Sequence, residues 1–101
     1  MKYNIKIRVP PEINGSSAGE YSYEEQTDDL ADSILRIEFN IASTIEKLQI
    51  AESPEFFKQT GFNRPVIRQK VKELTVILKS LLYIKEILSR KIIELTQHTK
   101  T

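Results

Sequence analysis

Residues 65–97, PVIRQKVKELTVILKSLLYIKEILSRKIIELTQ, contain no glycine, and their only proline is the first residue. Placed at 100° intervals, Val66, Ile67, Val71, Leu74, Ile77, Leu78, Leu81, Leu82, Ile84, Leu88, Ile92, Ile93 and Leu95 share about half of a helical circumference. Arg68, Lys72, Lys79 and Arg90 gather on the opposite side. The pattern predicts one uninterrupted helix over 65–97, about 50 Å long at a rise of 1.5 Å per residue. Pro65 suits its first turn, where the missing N–H has no intrahelical partner to lose.

An apolar half-circumference is wider than one neighbouring helix can cover. The first neighbour is upstream. Leu30, Ile34, Ile37, Ile41, Ile45 and Leu48 follow 3–4 spacing, with Ala31, Leu35 and Ala42 widening the stripe. They predict a helix over about 27–51, capped by Thr27, with Asp28 and Asp29 facing the positive end of its dipole. This helix is the shorter of the two. Ile84, Leu88, Ile92 and Leu95 are therefore expected to lack an intrachain partner and to form an oligomer interface, most simply in a homodimeric bundle or coiled coil. Leaving such side chains in water costs about 1.5–3 kcal/mol each relative to full burial. The N-terminal segment is the alternative cover.

Residues 1–25 read as an arm before the helical hairpin of 26–101. Tyr3, Ile5, Ile7 and Val9 alternate with Asn4, Lys6 and Arg8, which is the period of a half-buried strand. Pro10-Pro11 stops it. Residues 12–19 read as a loop, and Tyr21 and Tyr23 suggest a second strand over 20–24. A two-stranded ribbon is marginal alone in water, so Tyr3, Ile5 and Ile7 are expected to dock on the helices or on a partner. Between the helices, Ser53-Pro54-Glu55 opens a short linking helix over 54–60. Phe56, Phe57 and Phe62 would plug the bundle end, and Gly61 would close the turn. The expected fold is mainly α: an antiparallel helical hairpin with a short linking helix and an N-terminal strand or ribbon.

Two charges interrupt the apolar arcs. Glu38 lies within that of the first helix and Lys85 near the centre of that of the second. A buried charge is costly unless paired. One reading lets the Lys85 stem cover apolar surface while its ammonium reaches water. The other pairs Glu38 with Lys85 to fix register. A tight hairpin would set Glu38 near Leu78, about 10 Å short of Lys85, so the pair requires a shifted register or a second subunit.

The 101 residues make one domain, with a formal net charge of +1 and neither cysteine nor tryptophan. Disulfides and thiolate chemistry are excluded. The charge is asymmetric, since residues 1–50 carry five basic against nine acidic side chains and residues 51–101 ten basic against five acidic. The start, Met1-Lys2-Tyr3-Asn4-Ile5-Lys6, has no apolar run of the signal-peptide kind, and no stretch reaches the roughly 20 apolar residues of a membrane span. The expected compartment is the cytoplasm.

Catalytic signals are sparse. The single histidine, His98, sits at a chain end that frays, and the three glycines form no phosphate-binding loop. Glu24, Glu25, Asp28, Asp29 and Asp32 are the best carboxylate cluster for a divalent ion, as in a small nucleotide hydrolase, but first-turn acids ordinarily serve capping. No cofactor, metal or enzymatic activity is expected. The leading expectation is a small oligomeric protein–protein interaction module, acting as adaptor, regulator or assembly factor. The alternative is a nucleic-acid-associated regulator that neutralises phosphates with Arg68, Lys72, Lys79 and Arg90.

Overall fold

A computed structural model describes the backbone of residues 2–15, 21–53, 55, 58 and 64–98, with side chains as far as Thr96. Five elements follow in order: strand β1 (Tyr3–Val9), helix α1 (Pro11–Asn14), strand β2 (Tyr21–Thr27), helix α2 (Leu30–Glu52) and helix α3 (Arg64–His98). The fold is mainly helical, with an N-terminal β-hairpin laid on two long helices. The expected linking helix over 54–60, its three phenylalanines and Gly61 lie outside the described residues, apart from Glu55 and Lys58.

The alternation of β1 is realised in full. Ile5, Ile7 and Val9 are buried, while Asn4, Lys6 and Arg8 face solvent. β2 pairs with it antiparallel, from Tyr3 opposite Thr27 to Val9 opposite Tyr21. The second strand runs further than its weak alternation suggests, because seven paired residues of β1 set its length. Between the strands, the expected loop begins with a short helix. Pro11 occupies its first turn, and Gly15 closes it at φ 74, its N–H donating to the Pro11 carbonyl over 2.7 Å.

The start of α2 corrects the sequence reading. Thr27 is not the cap but the last residue of β2, and its hydroxyl holds the corner by bonding the carbonyl (2.9 Å) and amide (3.2 Å) of Asp29. Asp29 is the N-cap, with extended backbone and a carboxylate that accepts from the Ala31 amide at 2.9 Å. Asp28 and Asp29 thus precede the helix, and Asp32 is the acid of its first turn.

One core joins all layers. Ile5, Ile7 and Val9 pack with Leu30, Ile37 and Ile41 of α2 and Leu81, Ile84 and Leu88 of α3. Seven residues of β1 extend about 20 Å, enough to run beside four turns of α3. α3 contacts α2 most extensively and also α1 and β1, so the wide apolar arc meets more than one neighbour. Where α1 meets α3, Asn14 and Ser80 are both buried. The Asn14 amide donates to the Ser80 hydroxyl (3.0 Å), which donates to the Val76 carbonyl (2.8 Å).

This arrangement overturns the expectation that the far end of α3 lacks an intrachain partner. Ile84 and Leu88 are each 0% exposed, and Ile92 packs against the same core. Among the four residues expected at an oligomer interface, Leu95 alone is exposed. Tyr3, Ile5 and Ile7 dock on the chain's own helices, and the N-terminal segment is part of the fold.

Candidate interaction surface

The two most exposed large apolar side chains among the described residues, Phe39 and Leu35, stand on α2, on the side away from the core, while α3 exposes Val66, Leu82 and Ile93. Leu30, Ile37, Ile41, Thr44 and Ala51 are buried on its inner face. Half a turn away, Leu35 is 61% exposed, Phe39 74% and Ile50 50%. Ala42 and Glu46, also exposed, fall on the same line. At 100° per residue these five positions occupy about 80° of the circumference. α2 is therefore apolar on two opposite sides, and among the described residues only one of them packs in the core. A pocket on the outer side is bordered by Leu35, Arg36, Phe39 and Asn40.

This surface divides the single wide stripe expected of α2 into two. Leu35 and Ala42 do not widen the inner stripe but belong to the outer one, together with Phe39, which lies outside the expected stripe altogether. The spacing Leu35, Phe39, Ala42, Glu46, Ile50 is a second helical repeat offset by half a turn from Leu30, Ile37 and Ile41.

Four ion pairs form among the described residues. Lys6 of β1 meets Glu24 of β2 at 3.5 Å. Arg36 of α2 bonds Glu25 and also the Ser33 hydroxyl, at 3.2 Å for the latter, which ties the outer edge of α2 to β2. The Tyr23 hydroxyl donates to the same Glu25 carboxylate. Burial pushes the Tyr23 hydroxyl above its ordinary pKa, partly opposed by the Arg36 guanidinium and reinforced by Tyr21. Lys85 and Glu38 lie 3.4 Å apart, both partly in water. That pair sets Glu38 level with Lys85 and not with Leu78, so the helices take the shifted register. In that register Leu30 reaches the end of α3, beside Ile92, Leu95 and Thr96 around one shallow pocket.

The other candidate residues are placed without being brought together. Arg68, Lys72, Lys79 and Arg90 are all exposed on α3, spread over about 33 Å of helix. Arg90 is neutralised by Glu86 at 2.6 Å. The acidic cluster is divided among three tasks, since Glu24 pairs with Lys6, Glu25 with Arg36, and Asp29 caps α2. Among the described residues, no three acidic or histidine side chains converge on a metal position. The His98 side chain lies outside the described residues. No helix of the described residues is long and apolar enough to cross a membrane.

The chain matches no protein-family model, no curated protein and no solved structure.

Proposed function

We propose that this chain is a small protein–protein interaction module that associates with a second copy of itself through the outer face of α2. The observation that carries the reading is Phe39, 74% exposed in the middle of an apolar line that includes Leu35 and Ile50. A lone exposed apolar residue is ordinary on a protein surface, but a line of them on one helix is the form that helix–helix contacts take. The interface moves from the expected α3 residues to α2, because Ile84 and Leu88 are already buried in the core that α3 shares with β1 and α2.

Magnitudes bound the affinity. Full burial of a large apolar side chain gives about 1.5–3 kcal/mol, and these are already partly covered. Association costs about 4–15 kcal/mol before any contact is made. Three such residues from each copy, scaled by their exposure, give about 6–11 kcal/mol before that cost, so the dimer is weak, with Kd no tighter than about 10 micromolar. Sedimentation over a concentration series tests the reading, with Phe39→Glu as the variant. A central buried aromatic contributes about 2 kcal/mol or more, so the substitution should weaken the dimer by at least about 30-fold. Raising salt should leave the apolar contact nearly unchanged, whereas phosphate binding by the α3 cations would fall steeply.

A further inference from the structure

The outer face of α2 is complementary to itself in one orientation. The large residues Phe39 and Ile50 share it with the small residue Ala42, all exposed. One edge carries Asp32, Arg36 and Lys47, and Glu46 sits on the line itself, all exposed. Asp32, Glu46 and Lys47 make no ion pair among the described residues. We infer that two copies join through α2 in antiparallel, two-fold order, with Phe39 of each copy over the partner's Ala42 and Asp32 beside the partner's Lys47. This rests on the outer face of α2 being the contact surface and adds its orientation and register.

Geometry and charge select this arrangement over its neighbours. With Phe39 over the partner's Ala42, a large side chain meets a small one at each of the two symmetry-related contacts. Asp32 then lies within two residues, about 3 Å along the axis, of the level of the partner's Lys47. Arg36, already bonded to Glu25, comes within one residue of the level of the partner's Glu46 and offsets the one carboxylate on the apolar line. Two-fold symmetry makes every contact twice. Stacking Phe39 on the partner's Phe39 instead sets Asp32 level with the partner's Glu46, two like charges. A parallel, in-register pair sets Asp32, Arg36, Glu46 and Lys47 each beside its own copy. Like charges side by side disfavour both alternatives.

Charge exchange tests the orientation. Asp32→Lys alone brings two ammonium groups together at each such contact, and Lys47→Asp alone brings two carboxylates together. Each single variant should dimerise about 3–10-fold more weakly than the native chain, as expected for exposed pairs made twice. In a mixture of the two variants, both contacts of the heterodimer pair an ammonium with a carboxylate, so the heterodimer should form with near-native affinity while each homodimer stays weak. The Asp32→Lys, Lys47→Asp double variant restores opposite charges at both contacts and should recover native affinity as a homodimer. All of these variants leave Phe39 untouched and neither position is in the core, so the fold should persist; Asp32→Lys gives up the first-turn carboxylate of α2, a small loss at the positive end of the helix dipole, and circular dichroism verifies that each variant is folded. Loss of dimer in Phe39→Glu with no response to charge exchange would overturn the antiparallel register and leave the α2 surface standing. A Phe39→Glu chain that dimerises like the native one would overturn the surface itself, and with it this inference. A native chain that is monomeric at every concentration would overturn both.

Discussion

Truncating Ile84 to alanine separates a core residue from an interface residue. Ile84 is 0% exposed and lies where β1, α2 and α3 meet, in contact with the cluster that holds Val9, Ile37 and Leu88. Ile84→Ala removes three carbons and leaves a cavity that elements fixed on three sides cannot easily close. Such truncations cost about 2–5 kcal/mol. A domain of this size has about 5–15 kcal/mol of stability in total. The substitution should therefore remove about a third or more of it, and a loss of about 3 kcal/mol lowers Tm by about 12–24 °C. Urea unfolding followed by circular dichroism measures it, at protein concentrations low enough to keep association out of the transition. The midpoint should fall while the slope stays constant. Ile93→Ala, at a position 56% exposed on the same helix, should change stability by less than about 0.5 kcal/mol. A loss below about 1 kcal/mol for Ile84→Ala, or a loss of association without a loss of stability, would refute the placement of the hairpin over α3.

Three further outcomes follow from the polar contacts. Asn14→Ala should destabilise by about 1–3 kcal/mol in the same urea assay, because the buried Ser80 hydroxyl loses its donor at the α1–α3 contact. Lys85→Met should be neutral or stabilising: the Glu38 pair is partly exposed and worth about 0–1 kcal/mol, while Lys85 sits on an apolar arc that methionine fills. A loss beyond about 2 kcal/mol in thermal unfolding would show that the pair holds the helix register. Finally, the raised pKa of Tyr23 means the folded chain keeps that proton after the unfolded chain releases it. Its contribution is complete below about pH 10 and is lost as pH rises through the folded value. An alkaline unfolding series should show native stability falling above about pH 10, with Tyr23→Phe falling less.

The strand and both long helices are legible in the sequence because each carries a strong period. Alternation marks Tyr3 to Val9, and the apolar arc of 65–97 places α3 to within a residue at each end. What the sequence leaves open is local choice between equivalent signals. Thr27, Asp28 and Asp29 all have cap chemistry, and the ladder to Tyr3 decides that Thr27 stays in β2. The helix Pro11–Asn14 is too short for any period to show, although Pro11 and Gly15 bracket it. The half-circumference of α3 requires a second cover, but the pattern does not say whether that cover is the chain's own hairpin or another copy. Lys85 and Glu38 illustrate the same point, since their pairing depends on a register that neither helix specifies alone. The outer face of α2 is hidden in the sequence because Leu35 and Ala42 fit a wider inner stripe equally well. Only a fixed inward direction, set by Ile37 and Ile41, shows that they point away.

The measurement that bears most directly on the proposed self-association is sedimentation equilibrium of the native chain and of Phe39→Glu, across concentrations spanning the micromolar range. The native chain should pass from its 11.7 kDa monomer mass to twice that value as concentration rises, and Phe39→Glu should remain at the monomer mass. A native chain at 11.7 kDa throughout, or a Phe39→Glu dimer as tight as the native one, would contradict it.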